Sequence, residues 1–321
     1  MSAREWIRAL LDPTLPGAGP DTPRARPLAI LLILGVISAL AVARYEGFLA
    51  APWQWPVHVG LGLGSCLAVV GLFHGFAPLR RVRARTWALV LLASAHLVAF
   101  WYVGRPPAFQ RWLEPRLGLA GPAAAVARIW YLGLASLLFR LVLPFACAWL
   151  LLGLRPSALG LWARGNAAPP AVRLLWPVYV ALFLAVLPFV VAAAETRGFQ
   201  STYPFARGIV HEGAVRADLL ALSELAYLLV FLSGEAFWRG LWTFGTERDL
   251  GVYGVCLMIA PYVCVHYGKP LPETLGAGAA GLVLGWLALK HRSMWLGVAT
   301  HYAVALSMDL LAIEARGIRW E

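Results

Sequence analysis

Residues 28–43 read LAILLILGVISALAVA, sixteen positions without a charged side chain. About 17–25 predominantly apolar residues suffice to cross a bilayer as a helix, and we assign the first such window to residues 28–48. Similar windows lie at 57–79, 87–104, 129–154, 172–194, 217–244, 251–267, 275–290 and 294–313. The sequence therefore predicts an all-α fold, a polytopic transmembrane helical bundle with about eight or nine spans.

The composition of the whole chain agrees with this assignment. Of its 321 residues, 60% are hydrophobic and 13% are charged, and the mean hydropathy is +0.71. Soluble domains carry about 25% charged residues. The chain also holds 22 prolines and 15 tryptophans, which membrane helices and their interfaces accommodate. This composition excludes a soluble enzyme, a disordered chain and a secreted domain held by disulfides.

The basic residues lie between the apolar windows. The formal charge is +11, but the arginines form short clusters, which is typical of a topology signal and not of a nucleic-acid-binding surface. A cytoplasmic N-terminus places most clusters inside, although the arginine-containing loop 105–128 then lies outside. We expect an integral protein of a bacterial inner membrane, in contact with membrane lipid. The clusters are Arg24 and Arg26, Arg80 to Arg85, and Arg155, Arg164 and Arg173.

The distribution of polar residues divides the chain into three regions. Residues 1–27 are polar and rich in proline, which predicts a loose cytoplasmic tail. Residues 28–154 hold apolar spans with few ionisable side chains, whereas residues 155–321 concentrate glutamate, histidine and arginine within or beside the spans. We predict accessory transmembrane helices in 28–154 and a transmembrane core that carries the polar site in 155–321.

Three ionisable residues share the span that begins at Ala217. A charge at the centre of a membrane helix costs about 2.5–3.5 kcal/mol on insertion scales, so such residues are candidates for function. Glu235 and Arg239 are four positions apart and share one helix face, and Glu224 precedes Glu235 by about three turns. The simpler alternative is an Arg–Glu pair that only stabilises the helices.

Two histidines follow in later spans. His266 comes after Tyr262, and His301 precedes Asp309 in the last span. The rise along the helices allows Glu235, His266 and His301 to converge near the middle of the membrane. Such a group can activate water and bind an oxyanion. It can also ligate zinc, but no HExxH motif is present, so zinc is the weaker interpretation and we expect no metal or cofactor.

The order of these residues resembles the CAAX-protease and bacteriocin-processing (CPBP, Abi) family of intramembrane endopeptidases. The first family motif, two glutamates followed after three residues by Arg-Gly, corresponds to SGEAFWRG at residues 233–240. The second, an aromatic residue four positions before a histidine, corresponds to Tyr262 and His266. The third corresponds to SMWLGVATH at residues 293–301, which ends in His301. The resemblance covers about residues 155–315.

Two positions depart from the family pattern. The first glutamate, the proposed general base of the family, falls on Gly234, and the Asn or Asp four residues after the last histidine falls on Ala305. The resemblance implies that Glu235 and His266 activate water and that His301 stabilises the oxyanion, with Arg239 and Tyr262 in support. In the absence of the first glutamate, Glu224 is a candidate helper of Glu235. Asp309 is a candidate replacement for the missing Asn.

Three functions are compatible with these features. The first is a CPBP-like endopeptidase that cleaves a membrane-proximal or lipidated tail of a peptide or protein. The second is a catalytically impaired homologue that binds a membrane partner as a scaffold. The third is a transporter, which the lack of internal repeats disfavours. No nucleic acid is expected as a partner, and the sequence specifies no oligomeric state.

Overall fold

The computed structural model describes residues 15–161 and 176–321. The first fourteen residues of the predicted tail, the predicted start of the fifth window at residue 172, and the basic residues Arg164 and Arg173 lie outside the described residues.

Helices make up most of the described chain. Several begin with proline in their first turn, where the missing N–H removes no helical hydrogen bond. The α-helices are α1 Pro27–Tyr45, α2 Trp55–His74, α3 Ala77–Arg81, α4 Ala84–Val103, α5 Pro106–Trp112, α6 Glu114–Leu117, α7 Gly121–Leu137, α8 Leu143–Leu152, α9 Trp176–Ala194, α10 Arg197–Gln200, α11 Ala217–Glu235, α12 Gly245–Leu250, α13 Val252–Cys264, α14 Leu271–His291 and α15 Trp295–Ala315.

Short elements join or extend these helices. Two π-helical segments, Leu138–Val142 and Ala236–Phe244, make α7 continuous with α8 and α11 continuous with α12. The 3₁₀ turns are Pro52–Gln54, Pro156–Leu159 and Arg207–Ile209. A small sheet comprises β1 Val210–His211, β2 Ala214–Val215 and β3 Arg319–Trp320, in the order β1-β2-β3, with an antiparallel and then a parallel pairing.

The helices confirm the predicted fold class, an all-α polytopic membrane protein. Within the described residues, eight helices are long and apolar enough to cross a bilayer. The predicted window at 251–267 is helical only over the 13 residues of α13. That length corresponds to about 20 Å, shorter than the hydrocarbon core of a bilayer. The eight candidate spans are 27–45, 52–74, 84–103, 121–152, 176–194, 217–250, 271–291 and 295–315.

The described residues form two compact units. Unit 1 comprises residues 15–94, 145–161 and 236–294, and unit 2 comprises residues 95–144, 176–235 and 295–321. Both units draw on segments from before and after residue 155. The predicted division at residue 155 into accessory helices and a core stays a prediction.

Small residues bring the helices of unit 1 together. A Cβ at Gly62 of α2 would lie 2.8 Å from the Cβ of Ala260 in α13, and one at Gly285 of α14 would lie 2.5 Å from Val255. Gly281, one turn earlier, faces the ring of Tyr262. Gly281 and Gly285 of α14 therefore pack against α13, because glycine lets the two helices approach closely.

The segment before α1 is docked on unit 1. The amide N–H of Gly17 donates to the carboxylate of Glu247 at 3.0 Å, and that of Gly19 donates to the carbonyl of Arg248 at 2.9 Å. The amide N–H of Arg26 donates to the hydroxyl of Tyr253 at 3.0 Å. Three backbone N–H groups therefore hold this segment against α12 and α13. The predicted tail over residues 1–27 as a whole stays a prediction.

The helices of unit 2 pack around α11. Gly133 of α7 lies against the backbone of Ala226 in α11, where an added Cβ would come within 2.6 Å of the carbonyl oxygen. The loop before β1 is tied to the same core, because the Phe205 ring stacks on Tyr227 at 4.5 Å and Ile209 is 1% exposed. This packing fixes α11, which carries Glu224 and Glu235.

Candidate functional site

Glu235 is the last α-helical residue of α11, at the point where the π-helical segment begins. A π-helical segment widens the helix locally and is common at functional sites. The Glu235 side chain is buried, and its Oε1 lies 2.9 Å from Nδ1 of His301. The structure therefore brings together two of the three predicted catalytic residues, both in unit 2.

The contact between Glu235 and His301 depends on two neighbours. The His301 and Phe231 rings pack in a T-shaped arrangement, with ring centroids 4.7 Å apart at an interplanar angle of 73°. One turn before His301, a Cβ on Gly297 would lie 2.8 Å from Oε2 of Glu235. Glycine at this position lets α15 approach the carboxylate. Sequence reasoning missed both neighbours, although a small residue one helical turn before a functional histidine was a readable signal.

Glu224 and Asp309 belong to a separate polar cluster of unit 2. The Tyr302 hydroxyl donates to Oε2 of Glu224 at 3.2 Å, and the amide N–H of Phe205 donates to Oδ1 of Asp309 at 2.9 Å. Glu224 also interacts with Asp309. Glu224 precedes Glu235 by about 16 Å along the helix axis, so it is not placed to assist Glu235 directly.

Gly234 lies beside Arg140. An added Cβ at position 234 would be 3.3 Å from Nη1 of Arg140 and 3.6 Å from its Cζ. Arg140 donates to Ser136 and, at 2.6 Å, to the carbonyl of Val230, and its guanidinium lies 4.8 Å from the centroid of the Phe100 ring. Arg140 lies in the candidate span 121–152, where a charged side chain needs partners. A cation therefore occupies the place towards which the family's first glutamate would point.

Ala305 is packed into the apolar core of unit 2. It is 5% exposed and belongs to the cluster that includes Tyr227 and Phe231. Ser307 donates to the carbonyl of its own helix at Ala303, 2.8 Å away. Asp309 lies about 12 Å beyond His301 along the axis of α15. Neither side chain stands in the position of the missing Asn.

His266 and Arg239 lie in unit 1, where Tyr262 contacts both. The guanidinium of Arg239 lies 5.0 Å from the centroid of the Tyr262 ring, and Trp238 packs edge-on against the same ring at 5.4 Å. Nδ1 of His266 lies 2.8 Å from the carbonyl oxygen of Tyr262. A carbonyl only accepts hydrogen bonds, so Nδ1 of His266 donates a proton to it. The predicted pairing of Arg239 with Glu235 and the convergence with His301 stay predictions.

The segment that carries His266 is fixed by its surroundings. The Thr274 hydroxyl donates to the His266 carbonyl at 3.0 Å, and the Tyr267 hydroxyl lies 3.3 Å from Nδ1 of His58. Burial raises the pKa of the Tyr267 hydroxyl, which therefore stays protonated. These contacts hold the chain at His266 and at the residue that follows it.

Metal ligation receives no geometric support in the described part of the chain. Within residues 15–161 and 176–321, no group of three or more His, Cys, Asp or Glu side chains is arranged to hold a metal ion.

One comparison with known protein families matches the segment that contains Glu235, His266 and His301. Residues 216–307 match the model of a family described as type II CAAX prenyl endopeptidase Rce1-like. This match confirms the resemblance to the CPBP family. It supports a CAAX-protease-type intramembrane endopeptidase in general, with a membrane-associated protein or peptide as substrate. Comparisons with curated proteins and with solved structures gave no match.

Proposed function

We propose that this chain is a CPBP-type intramembrane endopeptidase that cleaves a membrane-proximal or lipidated tail of a peptide or protein. The observation that carries the proposal is the contact at 2.9 Å between the Glu235 carboxylate and the His301 imidazole, inside the segment that matches the family. A carboxylate and an imidazole are costly inside a membrane span, and an imidazole held by a carboxylate can act as a general acid or base.

The proposed catalytic residues are Glu235, His266 and His301. The first and third are in contact, and His266 is included because its motif follows that of Glu235 in the family's order. Arg239 and Tyr262 are proposed as supporting residues, because Tyr262 contacts both Arg239 and His266. The proposed reaction is hydrolysis of a peptide bond by an activated water and requires no metal or cofactor.

The substrate is proposed to be presented from the membrane. The matched family is described as a CAAX prenyl endopeptidase, and a tail with a lipid anchor reaches a membrane site without leaving the bilayer. The proposal covers lipidated and unmodified tails alike. The cytoplasmic N-terminus and the bacterial inner membrane, expected from the sequence, belong to the same proposal.

A second candidate function is a membrane-binding or scaffold protein without peptidase activity. The observations that favour it are Gly234, which faces Arg140 where the family has a carboxylate, and Ala305, which is packed in the core. On this alternative, the chain binds a tail without cleaving it.

Cleavage assays separate the two candidates. The purified chain in detergent micelles is incubated with internally quenched peptides that end in a CAAX sequence, with or without a farnesyl group. We expect cleavage by the wild type, and a fall of about 10²–10⁴-fold in Glu235→Ala and His266→Ala. The exposed residues Glu314 and His211 provide matched alanine controls. Equal processing by the wild type and both site variants would remove the catalytic assignment.

A further inference from the structure

We propose that His301 is the group that takes the proton from the attacking water, and that Glu235 is a positioning residue that holds the imidazole from behind. This inference rests on the proposed peptidase function. It reverses the division of roles that the sequence implies, in which Glu235 acts on the water and His301 binds the oxyanion.

The exposure of the two side chains supports this order. The Glu235 side chain has 0% of its surface exposed, whereas 25% of the His301 side chain is exposed. A proton can pass directly only between groups in hydrogen-bond contact. Because Glu235 lies behind the imidazole in a fully buried position, His301 is the member of the pair that presents surface to an incoming water.

The hydrogen bond sets the protonation pattern of the imidazole. The proposal takes Glu235 as ionised. Its carboxylate then only accepts hydrogen bonds, so Nδ1 of His301 donates its proton to Oε1 of Glu235. The lone pair is then on Nε2, on the opposite edge of the ring. In the Ser-His-Asp triad a buried carboxylate likewise fixes the tautomer and stabilises the imidazolium that forms.

The ring cannot turn freely. Phe231 packs edge-on against it at 4.7 Å. Gly297 leaves just enough space for Oε2 of Glu235, since a Cβ there would lie 2.8 Å from that oxygen. We therefore assign Phe231 and Gly297 as positioning residues that act through the pair formed by Glu235 and His301.

The hydrolysis requires only the pair formed by Glu235 and His301, one water molecule and the substrate. Nε2 of His301 takes a proton from water as the water oxygen bonds to the carbonyl carbon, and the C=O π electrons move to the carbonyl oxygen. When the tetrahedral intermediate collapses, the C–N bond breaks and His301 gives the same proton to the leaving nitrogen. The products are a carboxylic acid and an amine, and Glu235 keeps its hydrogen bond throughout.

This assignment accounts for a site without the first glutamate. A base on α15 needs no carboxylate at position 234, so Gly234 and the neighbouring Arg140 are compatible with hydrolysis.

The test compares variants of the full chain with the farnesylated, internally quenched CAAX peptide. We expect His301→Ala to lose about 10²–10⁴-fold in kcat and to recover part of it with added imidazole, which fits the space left beside Glu235. Glu235→Gln retains an oxygen that accepts the Nδ1 proton, so it should lose less activity than His301→Ala and should not respond to imidazole.

A further variant tests the positioning role without removing a functional group. Gly297→Ala places a methyl group against Oε2 of Glu235, so we expect a lower kcat with an unchanged KM. Gly35→Ala is the matched control, because a Cβ at this helical glycine has no neighbour within 4 Å. Unfolding midpoints in the same micelles establish that each variant is folded.

Two outcomes overturn different statements. If Glu235→Gln is inactive while His301→Ala retains activity, the division of roles is wrong and the peptidase assignment stands. If the wild type cleaves neither the farnesylated nor the unmodified peptide, the proposed function fails, and the inference fails with it.

Discussion

Restoring the family's first glutamate, by Gly234→Glu, should not create a general base in this chain. A Cβ added at position 234 would be 3.3 Å from Nη1 of Arg140, and 3.6 Å from both Cζ and Nη2. A glutamate placed there would lie next to a guanidinium. We expect the new carboxylate to form a buried ion pair with Arg140 and to give no gain in peptide cleavage.

The same geometry sets the expected change in the free energy of unfolding. Replacing glycine by glutamate inside a helix gains about 0.5 kcal/mol in helix propensity, which offsets the tight contact with Arg140. The free energy of unfolding of Gly234→Glu should therefore stay within about 1 kcal/mol of the wild type. In an Arg140→Met background the carboxylate has no cation, and leaving a buried charge without its partner costs about 3–5 kcal/mol. Ser136 and Ser233 still bond each other at 2.7 Å, so their hydroxyls keep a partner.

A double-mutant cycle measures this interaction. Unfolding in mixed micelles is followed for the wild type, Gly234→Glu, Arg140→Met and the double variant, and we expect a coupling energy of about 3 kcal/mol. Gly234→Gln, of equal size but uncharged, is the control and should show much weaker coupling. A coupling energy near zero, or a tenfold rise in cleavage by Gly234→Glu alone, would refute the reasoning.

Two further predictions concern packing and pH. Gly285→Ala puts a Cβ 2.5 Å from Val255, so the free energy of unfolding should fall by about 1–3 kcal/mol. In the control Gly35→Ala the new Cβ has no neighbour within 4 Å, so the free energy of unfolding should not fall. An equal change in the two variants would contradict the close packing of α13 and α14. Arg128 holds the pKa of the Glu114 carboxyl below its usual range. The stabilisation is therefore present above the ordinary carboxyl pKa of about 4.3 and is lost as the pH falls through the lowered value. The unfolding midpoints of wild type and Glu114→Gln should differ at pH 7 and converge as the pH falls below the lowered pKa of Glu114. A difference that stays constant over this pH range would exclude the ion pair as its source.

The spans were readable from the sequence because a bilayer imposes a length and an apolar composition on each helix. The same constraint shows which polar residues matter, since a charge inside a span is costly. This is why Glu235 and His301 were identified before any contact was known, and why the first window at 28–48 corresponds closely to the helix Pro27–Tyr45. The window at 251–267 was too long by several residues, because a buried apolar helix has the same composition as a span.

The contacts of the polar residues could not be predicted from the sequence in the same way. Helical spacing suggested that Arg239 shares a face with Glu235, but the π-helical segment that starts at residue 236 changes the spacing after Glu235. Glu224 was expected to help Glu235, whereas its carboxylate accepts a hydrogen bond from Tyr302. Contacts of this kind depend on the rotation of each helix about its axis, which a sequence window does not specify.

The sequence alone determined that this chain is an α-helical membrane protein with a CPBP-like set of residues in its second half. The length of each hydrophobic stretch and the order of the motifs are local properties, so they can be inferred from the sequence alone. Only the tertiary structure decided that the buried Glu235 stands behind His301, and that Arg140, about a hundred residues earlier in the chain, faces Gly234. These pairings arise from close packing between helices that are distant in sequence, and small residues such as Gly297 permit them.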